Sequence, residues 1–102
     1  MWDEIVKEFT KNPRDVHTVP MNNKKPRWFF VYMENGKVYI DEARNHVPSS
    51  SLKQRLVLHK DELEIMKELY KRRKLGEKVS KLAIDNSRMS VYWYGIFADL
   101  NI

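Results

Sequence analysis

Residues 90–97 read Ser-Val-Tyr-Trp-Tyr-Gly-Ile-Phe, and the period chosen for them decides what kind of fold this is. Aromatic and β-branched residues of this kind suit a strand. Alternation, however, would leave large hydrophobes on both strand faces. Met89, Tyr92, Trp93, Ile96, Phe97 and Leu100 instead follow a 3-1-3-1-3 spacing, which makes a nearly unbroken helical stripe. Ser87 is placed to cap its start. The spacing therefore predicts a helix over 88–99, with Trp93, Ile96 and Phe97 docking it.

Two further helices precede it. Asp61 followed by Glu64 predicts a capping box opening a helix over 61–74, with Leu63, Met66, Leu69 and Tyr70 on one side. Gly76 supplies a stop, and Lys71, Arg72, Arg73 and Lys74 suit the negative C-terminal end. A shorter helix is predicted from Glu77 to about Ile84, with Val79, Leu82 and Ala83 inward. Residues 61–99 thus read as a three-helix, helix-turn-helix-like unit whose third helix is free to contact DNA. The stretch KVSKLAIDNSRMSVYW, residues 78–93, loosely resembles the middle of bacterial helix-turn-helix domains: a small residue in one helix, a polar turn, then a capped recognition helix. Unlike the common pattern, its turn has no glycine, and Ala83 and Val91 are only eight residues apart.

Charge points to the same region. The chain has 19 Lys+Arg against 14 Asp+Glu, net +5, and the segment Lys71–Arg88 alone carries +5. Such a field attracts an anionic partner, more so at low salt. Lys71, Arg72, Arg73, Lys78 and Lys81 are expected to meet phosphates. Arg88, Ser90 and Tyr94, off the apolar stripe, are placed to approach bases or backbone. The expected function is a small noncatalytic DNA-binding protein with duplex DNA as partner. The alternative is a protein-binding or inhibitory adaptor that uses its basic or aromatic surface, with an acidic protein as partner.

Upstream, Asn35-Gly36 suits the two positive-φ positions of a type I′ turn. It predicts a hairpin over 27–42 that pairs Glu34 with Lys37, Met33 with Val38, Tyr32 with Tyr39 and Val31 with Ile40. Phe29, Val31, Met33, Val38 and Ile40 then share a core face. Trp28, Phe30, Tyr32 and Tyr39 share the other, with Lys37 and Asp41. That second face is expected to be covered by the chain's helices; its other uses are stacking of single-stranded nucleic acid beside Lys24, Lys25, Arg27 and Lys37, or a protein contact. Arg55–His59 is a candidate third strand of a small antiparallel sheet, with helix also open there. Trp2, Ile5, Val6 and Phe9 predict a short N-terminal helix from about Trp2 to Phe9. Between them, Thr10–Arg27 reads as mostly irregular, broken by Pro13, Pro20, Asn22, Asn23 and Pro26.

The expected fold class is α+β, with residues 1–102 one compact domain, of ordinary globular composition at 42% hydrophobic. With no cysteine, disulfides, thiolate catalysis and cysteine-ligated zinc are excluded. The apolar runs Trp28–Met33 and Val91–Ala98 are too short to span a bilayer. The start MWDEIVKEFT has acidic residues where a secretory leader has basic ones, so a cytoplasmic address and no membrane partner are expected. His17, His46 and His59 have no metal-ligand spacing, and no phosphate-binding glycine loop, dinucleotide fingerprint or zinc-peptidase motif occurs. No cofactor is expected. Asp41, Glu42 and His59 are the one group imaginable as acid–base residues.

Overall fold

The structure, a computed structural model, describes residues 1–21 and 24–102, so Asn22 and Asn23 among the expected chain breakers lie outside it. Helix α1 (Trp2–Lys11) leads into strands β1 (Arg14–His17), β2 (Trp28–Glu34), β3 (Lys37–Glu42) and β4 (Leu56–Leu58). A 3₁₀ turn at Lys60–Glu62 opens α2 (Leu63–Lys74), followed by α3 (Ser80–Asn86) and α4 (Ser90–Asp99). This is an α+β domain: an N-terminal helix, an antiparallel sheet in the order β1-β2-β3-β4, and a C-terminal helix-turn-helix-like unit.

The hairpin has the predicted register, Glu34 opposite Lys37 through Val31 opposite Ile40. Asn35 and Gly36 take φ of 51° and 75°, the left-handed conformations a type I′ turn requires. Phe29, Val31, Val38 and Ile40 are fully buried, while Met33 near the turn is half-buried. Val38 and Ile40 continue into Leu58 and Leu56 of β4.

The sheet has four strands, one more than expected. The extra strand is β1, inside a stretch that reads as irregular. It pairs with β2 from Arg14–Val31 to His17–Trp28, which puts Val16 beside Phe29 in the core and Asp15 on the opposite face.

Helices pack on the Phe29/Val31 face. Tyr92 meets Phe29 edge-on at 5.0 Å, and Arg14 reaches Glu8 and Asp99 from that side. At Gly95 a Cβ would stand 2.7 Å from the His17 carbonyl oxygen and 2.9 Å from Phe29 Cζ. Only glycine lets α4 approach the sheet so closely. Trp93, Ile96 and Phe97 are fully buried, and the Trp2 and Trp93 rings lie 6.3 Å apart, tying α1 to α4.

The aromatic face is covered differently from the expectation. The connection between β3 and β4, with its arginines, covers it; the helices do not. The Arg44 guanidinium lies 4.0 Å over Phe30, Arg55 lies 3.8 Å over Tyr39, and His46 stacks on Trp28 at 3.9 Å. Phe30 and Tyr39 are buried beneath this layer, and cations over aromatic faces hold it there.

Three local expectations also shift. Asp61 falls inside the 3₁₀ turn, so no capping box forms and α2 has no side-chain cap. Glu62 instead accepts from Ser87 Oγ (2.8 Å) and Trp93 Nε1 (3.2 Å), joining the start of α2 to α4. α3 begins at Ser80, not Glu77, because Glu77 closes the end of α2: its N–H donates to the Arg72 carbonyl and its carboxylate accepts from Arg72 Nε. Leu82, expected inward, is 44% exposed: Ala83 is the buried residue of α3, on the same side as buried Val79 just before the helix, four residues earlier.

Candidate functional site

A cleft of about 690 Å³ opens where the β1–β2 connection, the end of α2, α3 and the first turn of α4 meet. Lys24, Lys25 and Arg27 line it from the connection and Arg73 from α2. Among the described residues, no aspartate or glutamate lines it. Hydroxyls of Thr18, Ser51, Ser80 and Ser90 contribute polar wall, and Met21, Ile84 and Val91 an apolar rim.

Local structure explains the placement. Gly76, at φ 89°, turns the chain sharply after α2, so α3 folds back beside Arg73. The Arg73 guanidinium donates to the Val19 carbonyl and lies 5.0 Å over the Tyr94 ring, bringing the β1–β2 connection against α4. Ser87 Oγ accepts the Met89 N–H at 2.9 Å, which sets the entry into α4. Ser90 and Val91, in its first turn, line the cleft. The first N–H groups of a helix lack intrahelical acceptors and carry partial positive charge, adding to the field of the cations.

Tyr94 is 7% exposed, and its hydroxyl is the one buried side-chain polar atom without a hydrogen-bond partner among the described residues. Burial raises its pKa, opposed by the nearby Arg73 charge. It is therefore a neutral donor at ordinary pH with nothing to donate to.

The eight residues singled out in the sequence do not form one patch. Arg73, Ser90 and Tyr94 meet at the cleft. Ser90 and Tyr94 are buried there and do not stand on an open helix face. Lys78, Lys81 and Arg88 are exposed. Arg72 is half-buried and bound to Glu77. Lys71 turns to a second hollow of about 460 Å³, shared with Glu64, Lys67, Glu68 and Lys74, where charges of both signs mix. Helix α4 is buried nearly all round: Ser90, Trp93, Tyr94, Gly95, Ile96 and Phe97 are inside, while Val91 and Asp99 are exposed. The third helix is thus a core element that shows solvent its N-terminal tip, with Arg88 and Val91, and its far end.

Lys24, Lys25 and Arg27 are cleft-lining cations outside the charged run 71–88; their signal in the sequence is the KKPR run at 24–27, which reads there as a neighbour of the aromatic hairpin.

Elsewhere, His17 and His46 both touch the Trp28 ring, while His59 precedes the 3₁₀ turn. No group of three or more His, Cys, Asp or Glu side chains stands ready to hold a metal among the described residues. Asp41 and Glu42 make local bonds to the backbone of Glu42 and Leu52, and neither is bonded to His59. Among the described residues no helix is long and apolar enough to cross a membrane. In comparisons with known families, curated proteins and solved structures, nothing matches the chain.

Proposed function

We propose that this protein is a small noncatalytic DNA-binding domain that holds the phosphate backbone on the cationic side of its α3–α4 junction. The observation that carries the reading is the convergence of Lys24, Lys25, Arg27 and Arg73, from two distant stretches, on a cleft without acidic lining residues. Exposed Lys78, Lys81 and Arg88 extend positive charge along the same helical unit. A cleft lined by four cations and no acid suits a polyanion, whose binding releases counterions. The burial of α4 argues against a helix laid along the major groove. The reading is therefore backbone docking with weak sequence preference, in which Arg88 at the tip of α4 is the side chain placed to meet a base.

The test is duplex binding across a range of salt concentrations. Replacing Lys24, Lys25 and Arg27 by glutamine, and separately Lys78 and Lys81, is expected to weaken binding and flatten its salt dependence by about 0.9 per lost phosphate contact on logarithmic axes. These side chains are exposed, so the variants should stay folded. Binding no stronger than that of a charge-matched control, even at low salt, overturns the proposal.

An acidic protein partner is the second reading, favoured by one observation. Met21, Ile84 and Val91 stand 46%, 65% and 50% exposed along the cleft rim. On that reading Ile84→Ser and Val91→Ser weaken binding of an acidic, leucine-bearing peptide and leave duplex binding unchanged.

A further inference from the structure

Resting on the anion-binding reading above, we infer that the cleft takes one mononucleotide unit: a phosphate monoester carried on an organic body. Four features of the cleft support this. Its volume of about 690 Å³ lies in the range of small-molecule sites, larger than a lone inorganic anion needs. Four cationic side chains without a lining acid suit a dianionic phosphate better than a single carboxylate. The first turn of α4, at Ser90 and Val91, lines the cleft, and the N–H groups of a helix's first turn lack intrahelical acceptors and favour an anion. Finally, the Tyr94 hydroxyl is buried, un-ionised and without an acceptor, an arrangement that ordinarily costs stability.

Tyr94 lines the cleft, so once the side chains over its hydroxyl shift aside, a phosphate oxygen seated there supplies the missing acceptor. The Arg73 guanidinium, now on the Val19 carbonyl beside the Tyr94 ring, turns to the phosphate as it enters. The organic body then lies on the apolar rim of Met21, Ile84 and Val91. Two sources present this chemistry: a free nucleotide, and the phosphorylated end of a nucleic-acid strand.

The experiment uses the full chain and a nucleoside 5′-monophosphate, with the parent nucleoside and inorganic phosphate in parallel, followed by amide chemical shifts and thermal unfolding. The monophosphate is expected to shift Ser90 and Val91 amides and raise the melting temperature, and the nucleoside to do neither. Tyr94→Phe is expected to leave the ligand-free protein as stable as before or more so, since it removes an unpartnered polar atom. It should weaken the monophosphate by about tenfold or more, the worth of a hydrogen bond to a charged group. These opposed effects separate a ligand contact from a merely structural tyrosine. Ser80→Trp, at an exposed position on the wall, fills the cleft and should abolish binding if Tyr94→Phe does not fold. A 5′-phosphorylated oligonucleotide compared with its 5′-hydroxyl form decides between strand end and free nucleotide. Equal monophosphate affinity in Tyr94→Phe, or no binding at all, overturns the inference. Duplex binding that survives such a failure leaves the DNA reading standing, and monophosphate binding without duplex binding reverses the two.

Discussion

The carboxylate of Asp15 stands 2.8 Å from Nδ1 of His46, and it also receives the backbone N–H groups of Arg44 at 2.9 Å and Asn45 at 2.7 Å. One side chain on β1 thereby fastens the start of the β3–β4 connection onto the sheet. Burial pushes the Asp15 pKa up, but the donors from Arg44, His46 and Asn45 outweigh it and hold it below the ordinary 3.8. A carboxylate lowered in this way adds stability above its unfolded pKa and loses it as pH falls through the folded value. Asp15→Asn removes the charge and turns an amide donor towards groups that themselves donate. We expect it to cost about 1–3 kcal/mol near neutral pH and to shallow the loss of stability below about pH 4. Urea unfolding at several pH values measures both.

Val31 is fully buried on the core face, opposite Ile40 on one side and Arg14 on the other. Val31→Asp places an unpaired carboxylate there. The expected cost is on the order of 4 kcal/mol, enough to unfold a marginal domain. Circular dichroism and one-dimensional NMR report it directly. A cooperatively folded variant of unchanged stability would refute the face assignment.

Trp93 fills the centre of the core, touching Trp2 and Phe97, and its indole N–H donates to Glu62. Trp93→Ala is expected to cost about 3–5 kcal/mol. The loss should appear in denaturant midpoint before any effect on binding. Binding lost at full stability would reassign Trp93 to the ligand surface.

Gly95→Ala adds one methyl where the nearest backbone oxygen is 2.7 Å away. Neither the His17 carbonyl nor the buried Phe29 ring can easily give way. An overpacking cost of about 1–3 kcal/mol is expected, although alanine favours helix over glycine. Equal or greater stability in thermal unfolding would show that α4 is free to move off the sheet.

Much of this architecture is legible in the sequence where its cause is local. The hairpin register follows from two turn residues and the alternation beside them. α4 follows from a spacing that a strand does not reproduce. β1 escapes because Arg14–His17 has one apolar residue, Val16, and its burial depends on partners far along the chain: Phe29 beside it and the Arg44–Asn45 backbone over Asp15. The candidate site is less legible for the same reason. Linear charge density singles out Lys71–Lys74, yet a helix spreads consecutive residues around its axis. Arg73 goes to the cleft, while Lys74 goes to Tyr70 and the Ile102 carbonyl. The partners of Arg73 at the cleft, Lys24, Lys25 and Arg27, belong to a different part of the sequence. Ser90 and Tyr94 lie off the stripe of Met89, Trp93 and Phe97 but are buried all the same, because the β1–β2 connection covers that side of α4.

The contact between Trp2 and Trp93 also governs how the fold is closed. Each strand of the sheet pairs with its neighbour in sequence, so the meander is built from contacts of short sequence separation. α1 rests on β2 of that sheet, but its tryptophan partner lies on α4, beyond the whole meander and two further helices. Bringing the two rings together closes a long loop, whose entropy is recovered only when both helices are docked. The pair therefore couples the two helices: loosening α4 removes part of what holds α1, and loosening α1 does the same to α4.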